Sequence, residues 1–219
     1  MRTRLAMPRC IGLDLDNTVI DYAPAYCAVA REIGLPQHLV DRESIRGSLR
    51  KSDEDDEEWQ RFQALLYTDG LAFARPAPGL LEFLRLCDSM GVNVVIISHK
   101  TEATPARFGA RDLRGPASEW LSTQGITPAH VSPDAVSFCT NRVEKVRAIA
   151  ELQCDVFVDD LMEILTDAKF PVSASAWWFC ASDVGSISGT TGHLSGDFYA
   201  LTAWLTVHDT GDSPDLHVR

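Results

Sequence analysis

The sequence contains no apolar run near the roughly 20 residues that a membrane-spanning helix needs. Its basic start, MRTRLAMPRC, leads into no apolar region of the signal-peptide type, so we expect no export signal. The six cysteines form no C-x-x-C pair, and no His pair at zinc spacing accompanies them, which argues against a structural zinc site. Most of them lie in apolar stretches, where a free thiol behaves as a small hydrophobe. We therefore expect a reduced, cytoplasmic protein without a membrane partner.

Positive charge is also scarce. Against 31 Asp and Glu the sequence has 20 Lys and Arg, which gives a formal net charge of −11. Such a chain repels polyanions overall, so we expect no nucleic acid and no acidic membrane as a partner. The acidic run 53–58 is interpreted as a solvated helix face. An anionic small molecule stays open as a substrate, provided that a cation or a few local Lys and Arg residues receive it.

Short apolar runs recur along the chain and alternate with helical patterns. The runs are CIGLDL (10–15), VNVVII (92–97), AVSFC (135–139), DVFV (155–158) and SAWWFC (175–180). Amphipathic patterns predict helices over 80–91 and 141–152. Near-continuous apolar strands between helices are typical of a parallel sheet that is covered on both faces. We therefore predict an α/β fold, a Rossmann-like doubly wound parallel sheet.

Residues 22–76 interrupt this alternation, because they read as helices only. The stretch RPAPG then breaks the helical pattern with two prolines and a glycine. We predict a small all-helical insertion over 22–76 and an α/β core domain formed by 1–21 and 77–219. The length of 219 residues suits one core domain with a modest insertion.

The end of the sequence lacks the strand pattern. The Gly- and Ser-rich segment 182–196 is predicted to be a loop, and no G-x-G-x-x-G follows a strand there, which argues against a phosphate cradle of that kind. Residues 197–207 predict a last helix, and we expect the chain from His208 on to be frayed.

Two acidic pairs follow apolar runs. In IGLDLDNTVIDY (11–22), Asp14 and Asp16 face the same way in an extended strand, at the strand end where open α/β sheets bind ligands. Asp159 and Asp160 follow DVFV. Acids that converge repel each other, and a hard cation with oxygen ligands, Mg²⁺ for preference, supplies the counter-charge. The alternative is that each pair caps a helix N-terminus, but two pairs after two strands favour the metal site.

Two further residues fit such a site. Ser98 ends the strand VVIIS, which puts its hydroxyl at the same edge of the sheet; alternatively it caps the following turn. Lys145 lies near the start of the predicted helix 141–152, where a cation opposes the helix dipole. This mismatch indicates a role other than helix stabilisation, although a solvated surface lysine would also fit.

In this order the motifs resemble the signature of the haloacid dehalogenase (HAD) superfamily. That signature is D-x-D-x-[T/V], then Ser or Thr, then Lys or Arg, then a strand-end acidic pair. The corresponding parts of this sequence are DLDNT (14–18), Ser98, Lys145 and VDD (158–160). The match extends from about residue 10 to about residue 167, and the helical insertion after the first strand resembles the small cap domains of that family.

The resemblance implies a Mg²⁺-dependent phosphatase that hydrolyses a phosphate monoester, a small phosphorylated metabolite such as a sugar phosphate or a nucleotide. Asp14 would be the nucleophile that forms an aspartyl-phosphate. Asp16 would protonate the leaving oxygen and then activate water. Because the dehalogenases of the family lack an acid at this second position, Asp16 favours a phosphate ester over a carbon–halogen bond.

The resemblance also implies which residues hold the phosphate and the metal. The phosphoryl oxygens would be held by three hydrogen-bond donors: Thr18, Ser98 and Lys145. The Mg²⁺ ligands would be the Asp14 carboxylate, the Asp16 main-chain carbonyl, Asp159 and, directly or through water, Asp160.

Two other classes of protein stay open. A signalling receiver domain also gathers acids, a Ser or Thr and a Lys around Mg²⁺, but its acid pair lies on the first strand and its Lys comes last. Here Lys145 precedes the second acid pair. The other class is a catalytically silent relative that serves as a binding or assembly module. The sequence leaves the oligomeric state and the substrate-reading residues open; candidates in the insertion are Tyr22, His38, Arg46, Arg50 and Lys51.

Overall fold

A computed structural model describes residues 7–50, 56–180, 188–190 and 193–210. The strands are β1 Cys10–Leu13, β2 Ile20–Asp21, β3 Arg75–Pro76, β4 Asn93–His99, β5 Val136–Cys139, β6 Val156–Asp159, β7 Ser175–Phe179, β8 Ser188–Thr190 and β9 His193–Gly196. The α-helices are α1 Ala23–Glu32, α2 Arg42–Leu49, α3 Glu57–Leu66, α4 Leu80–Met90, α5 Arg114–Thr123, α6 Arg142–Glu151, α7 Met162–Leu165 and α8 Phe198–Thr210. Short 3₁₀ helices cover Asp69–Phe73, Ala106–Phe108 and Pro133–Ala135.

Seven of these strands form one sheet in the order β5-β4-β1-β6-β7-β9-β8. The neighbours from β5 to β9 pair in parallel, and β8 is antiparallel to β9. From β1 the chain first builds outward through β4 and β5 and then returns to the other side through β6 and β7. Open α/β sheets bind ligands at such a reversal, beyond the carboxyl ends of the strands. The predicted α/β fold with a Rossmann-like parallel sheet is confirmed.

The central strands are mainly apolar and buried, as expected where helices cover both faces of a parallel sheet. All four residues of β1 and all four of β6 are buried. Helix α4 buries one stripe that includes Phe83 and Leu84, and it ends at Gly91, whose φ of 67° suits glycine. Asn141 caps α6, since its side chain accepts a hydrogen bond from the Glu144 backbone N–H at 2.9 Å. In the described part of the chain, no helix combines the length and apolarity needed to cross a membrane.

Helices α1, α2 and α3 lie between β2 and β3, in the segment predicted as an insertion. The segment is not helical only, because β2 and β3 pair antiparallel at its two ends, with Asp21 opposite Arg75. An ion pair of 2.9 Å joins the same two side chains. The buried side chains of the helices, among them Tyr26 and Phe62, belong to the same hydrophobic cluster as Leu13 of the sheet. The division of the chain into 22–76 and a core domain stays a prediction.

The predicted loop over 182–196 is partly wrong, because its described residues form β8 and β9. The open edge of β7 supplies the hydrogen-bonding partner, with Trp177 opposite Leu194. The Trp177 indole N–H also donates to the Gly196 carbonyl at 3.0 Å. Backbone hydrogen bonds to an existing edge do not require an apolar run in the added strand, so a Gly- and Ser-rich composition hides this pairing. The last helix is confirmed and extends to Thr210; residues 181–187, 191–192 and 211–219 lie outside the described residues.

Candidate active site

A cavity of about 280 Å³ lies beyond the carboxyl ends of β1, β4 and β6, where the sheet reverses its order. Four of the residues singled out in the sequence line it: Asp14, Asp16, Lys145 and Asp160. The chain leaves β1 at Leu13, and the Asp14 N–H still donates to the Val158 carbonyl of β6 at 2.8 Å. This last ladder bond fixes the Asp14 backbone beside the acidic end of β6.

Lys145 joins the two acidic motifs. Its Nζ lies 2.5 Å from Asp14 Oδ1 and 2.7 Å from Asp159 Oδ2, and the residue is only 1% exposed. The alternative of a solvated surface lysine is therefore wrong. A buried ammonium is tolerated only where opposite charges compensate for its lost hydration, and here two carboxylates do so. Burial favours its neutral form, but Asp14 and Asp159 outweigh burial and raise the pKa of Lys145.

Asp14, Asp159 and Asp160 have carboxylate oxygens within 4.8 Å of one another. Burial raises the pKa of Asp14 well above its ordinary value, against the opposing effect of Lys145, and the two other acids raise it further. Burial and the charge of Asp159 raise the pKa of Asp160 to about 7. Three carboxylates around one ammonium leave excess negative charge. An all-oxygen donor set of this kind fits a hard divalent cation such as Mg²⁺.

Asp16 has a different environment from Asp14. Asp14 directly follows β1 and keeps a ladder hydrogen bond to β6, whereas Asp16 forms an isolated β-bridge with Ile20, and both line the cavity. Lys100 Nζ lies 2.9 and 2.7 Å from the two carboxylate oxygens of Asp16, and the Tyr22 hydroxyl donates to one of them at 2.7 Å. The Asp16 carboxylate is thus not part of the acidic group described above. The metal-binding role of its main-chain carbonyl stays a prediction.

The two predicted hydroxyl donors are buried but do not line the cavity. Thr18 is 0% and Ser98 1% exposed, and neither hydroxyl has a hydrogen-bond partner among the described residues. Ser98 follows Ile96 by two positions on β4, and Ile96 pairs with Leu13, so Ser98 lies at the level where β1 has ended. An unsatisfied buried hydroxyl costs about 1–3 kcal/mol. Each hydroxyl therefore keeps an unused hydrogen-bonding group, although neither reaches the wall of the cavity.

Sequence reasoning missed Lys100 and Arg42, which line the cavity. Lys100 is 3% exposed and directly follows β4. Arg42 is the first residue of α2, and its Nη1 lies 3.6 Å from Asp160 Oδ2. A cation in the first turn of a helix opposes the dipole, and this signal, which drew attention to Lys145, would also have found Arg42.

The insertion candidates named from the sequence are less well placed. Arg46 and His38 are exposed, and neither Arg46 nor Arg50 lines the cavity. Tyr22 is buried and contacts Asp16 instead of the cavity. Lys51 lies outside the described residues.

Comparison with known proteins gives matches in structure only. No protein-family model and no curated protein sequence matches the chain. A HAD-superfamily hydrolase from Ehrlichia chaffeensis superposes with a TM-score of 0.58 at 12% identity, over 94% of this chain and 99% of that chain. A HAD hydrolase of family IA, variant 3, from Entamoeba histolytica gives 0.56 at 14% identity, over 93% and 99%. Protein Tyrosine Kinase A from Mycobacterium tuberculosis gives 0.57 at 18% identity, over 90% and 98%.

These similarities define the fold of the chain. It has the α/β fold of haloacid dehalogenase-like hydrolases, as the resemblance of its four motifs implied. At such low identities the likeness extends to the fold alone.

Proposed function

We propose that this protein is a Mg²⁺-dependent phosphatase of the HAD type, which hydrolyses a phosphate monoester through an aspartyl-phosphate on Asp14. The observation that carries the proposal is the pairing of Asp14 with the buried Lys145 at 2.5 Å, next to two further acids of a cation-binding kind. The shared fold of HAD hydrolases supports it, and the four motifs of this chain resemble the signature of that superfamily in their order.

The first chemical step uses Asp14 and Asp16. Asp14 attacks phosphorus while the bond to the leaving oxygen breaks, and Asp16 gives that oxygen its proton. Lys145 favours the ionised form of Asp14, which is the form that can attack. Mg²⁺ bound by Asp14, Asp159 and Asp160 would supply positive charge to the phosphoryl oxygens.

The second step releases phosphate. Asp16 takes a proton from water, the water oxygen attacks phosphorus, and the bond to Asp14 breaks. The unpaired hydroxyls of Thr18 and Ser98 are candidates to bind phosphoryl oxygens, because each lacks a partner among the described residues. Positioning and electrostatics of this kind account for most of the catalysis in phosphoryl transfer.

The size of the cavity supports a small substrate. At about 280 Å³ it lies just below the usual range of ligand pockets, about 300–1,000 Å³. Arg42 adds a half-exposed cation to its wall, whereas the charge of Lys100 is paired with Asp16. Together with a bound Mg²⁺, Arg42 would suit an anionic metabolite such as a sugar phosphate or a nucleotide.

Phosphate release tests the proposal directly. The purified protein is incubated with an aryl phosphate and a panel of phosphorylated metabolites, with Mg²⁺ or with excess chelator. We expect release with Mg²⁺ only, and none from the Asp14→Asn variant. Release that persists in chelator would contradict the metal assignment. Binding of a phosphorylated ligand without any turnover would favour the alternative of a catalytically silent binding module.

A further inference from the structure

The side chains of Tyr22, Tyr67 and Lys100 pack around the carboxylate of Asp16. We call these four residues the Asp16 cluster. Lys100 Nζ contacts both carboxylate oxygens, at 2.9 and 2.7 Å, and the Tyr22 hydroxyl donates to Oδ1 at 2.7 Å. The same Nζ lies 4.7 Å from the centre of the Tyr67 ring, in a cation–π contact. The rings of Tyr22 and Tyr67 pack edge to face at 5.4 Å.

Hydrogen bonds also fix the main chain of Lys100. The Lys100 N–H donates to the Cys139 carbonyl at 3.0 Å, and its own carbonyl accepts from Arg114 Nε at 3.0 Å. The ammonium therefore projects from a fixed point at the end of β4. Among the described residues, Asp16 is the one carboxylate within ion-pair distance of it. A buried ammonium is costly without a carboxylate partner. The burial of Lys100 is therefore explained by its ion pair with Asp16 and not by packing alone.

We propose that Lys100, with the help of Tyr22, is the positioning residue for Asp16. The inference rests on the proposed function, in which Asp16 transfers protons to and from the reacting oxygens. A carboxylate turns freely about two torsions, but contacts to both of its oxygens leave one orientation. Proton transfer needs hydrogen-bond reach of the leaving oxygen, and a misplacement of about 1 Å can cost about 100-fold in rate.

The two buried lysines, Lys145 and Lys100, pair with different acids of the site. Lys145 holds Asp14 and Asp159, which belong to the acidic group suited to a cation. Lys100 holds Asp16, whose carboxylate stays outside that group. If Lys100 were removed, the Tyr22 hydroxyl would be the one remaining hydrogen-bond partner of the Asp16 carboxylate among the described residues. The carboxylate could then turn toward a bound cation or toward solvent.

The test compares substrates that differ in their need for a proton. An alkyl phosphate has a leaving oxygen that must be protonated, whereas a nitrophenyl phosphate has one that leaves readily. We expect Lys100→Met to lower kcat/KM about 100-fold for the alkyl phosphate and less than about 10-fold for the nitrophenyl phosphate, because kcat/KM reports only the steps up to departure of the leaving oxygen. Hydrolysis of the aspartyl-phosphate, which also uses Asp16 and is common to both substrates, enters kcat alone. Lys100→Arg should restore part of the loss, because a guanidinium also binds both oxygens of a carboxylate.

A double variant separates positioning from a general structural role. If Lys100 acts through Asp16, then Asp16→Asn/Lys100→Met has the same kcat as Asp16→Asn alone, because the second change removes nothing further. Arg111→Met is the matched control: it removes a cation paired with Asp69 outside the cavity and should leave both substrates unaffected. Should Lys100→Met fail to fold, Tyr22→Phe removes only the hydroxyl, and we expect a loss of kcat of about 10-fold for the alkyl phosphate.

The outcomes distinguish this inference from the proposed function. An Asp16→Asn variant that is impaired beside fully active Lys100→Met or Tyr22→Phe variants overturns the inference and leaves the phosphatase proposal standing. A double variant much slower than Asp16→Asn, or equal losses of kcat/KM for both substrates, also overturns it, because Lys100 would then act independently of proton transfer from Asp16 to the leaving oxygen. A wild-type protein that hydrolyses neither substrate overturns both.

Discussion

At the scale of single residues, the charges of the site do not balance until something else binds. Asp14 and Asp159 share one buried ammonium with Asp160 close to both, and burial together with the charges of neighbouring acids raises the pKa of Asp14 and of Asp160. A buried carboxylate of this kind lowers the stability of the fold while no counter-charge is bound. Its ionised form becomes favourable when a cation binds. The negative charges that a metal site needs thus lower the stability of the metal-free protein.

Asp14→Asn keeps the shape of the side chain but removes one buried negative charge. We expect phosphate release to fall by about 1,000-fold or more, because the nucleophile is lost. In the absence of metal, the melting temperature should stay equal or rise, because the repulsion from Asp159 and Asp160 is relieved. Calorimetry and a phosphate-release assay measure the two effects. A variant that stays active would mean that the nucleophile lies elsewhere.

Lys145→Met has the opposite effect on stability. It leaves Asp14 and Asp159 buried without their shared counter-charge, and breaking one side of a buried ion pair costs about 3–5 kcal/mol. Denaturant unfolding of the metal-free protein measures the loss. The exposed pair of Arg147 with Glu151, 3.4 Å apart on the same helix, provides the control, and Arg147→Met should change stability by less than about 1 kcal/mol. Equal effects of the two variants would contradict the account of the buried cluster.

The raised pKa of Asp160 predicts how Mg²⁺ stabilisation depends on pH. Because the folded-state pKa of about 7 exceeds the ordinary value of 3.8, this group favours folding below that ordinary value, and its contribution is lost as pH rises toward 7. Mg²⁺ binds the ionised form, so the gain in melting temperature on adding Mg²⁺ should be larger at pH 8 than at pH 6. In Asp160→Asn the difference between the two pH values should shrink. A gain that falls as pH rises would contradict the prediction.

At the scale of elements, the position of Asp14 depends on the close packing of β1 against β6. A Cβ at Gly12 would lie 2.6 Å from the Phe157 ring and 2.8 Å from Cys154 Sγ, both closer than ordinary contact. Gly12 pairs with Phe157 in the register that also aligns Leu13 with Val158. A side chain at this position would therefore push apart the two strands that carry the acidic motifs.

Gly12→Ala should destabilise the protein by about 1–3 kcal/mol, the usual cost of overpacking a core. It should also lower activity at temperatures where the fold is intact. Gly47→Ala is the matched control, because a Cβ there meets nothing within 4 Å and the residue lies inside the exposed part of α2. That control should gain about 0.5–1 kcal/mol from better helix propensity. Chemical unfolding of both variants measures the contrast.

The elements also differ in how far the sequence predicts them. The central strands and α6 were predictable, because burial on both faces and a capping Asn leave local patterns. Strand β9 was not, because its hydrogen-bonding partner is the edge of β7 and its own composition is that of a loop. Lys100 was missed for a similar reason: its partner Asp16 is 84 positions away, and no local pattern records such a contact.

At the scale of the whole molecule, the helices between β2 and β3 contact the site through Arg42 of α2, which reaches Asp160. We expect the insertion to select the substrate, with Arg42 rather than Arg46 as its reader, because only Arg42 of the two lines the cavity. Closure of these helices over the site would also exclude water from the reaction.

Arg42→Gln should raise KM for the preferred phosphorylated metabolite by about 10-fold and change KM for a minimal aryl phosphate little, because the aryl ester lacks the rest of the metabolite. Arg46→Gln, one turn further along the same helix and exposed, is the control and should leave both values unchanged. Steady-state kinetics of both variants on both substrates give the comparison. Equal losses for the two substrates in Arg42→Gln would show that this residue does not read the leaving group.

The short pairing of β2 with β3 has a consequence for how such a chain can change over evolutionary time. Since Asp21 and Arg75 are neighbours across two strands, everything between them begins and ends at the same point of the molecule. Residues can be gained or lost there without altering the spacing between Asp14, Lys145 and Asp159, which β1, α6 and β6 set. Substrate choice can thus drift while the chemistry is inherited unchanged.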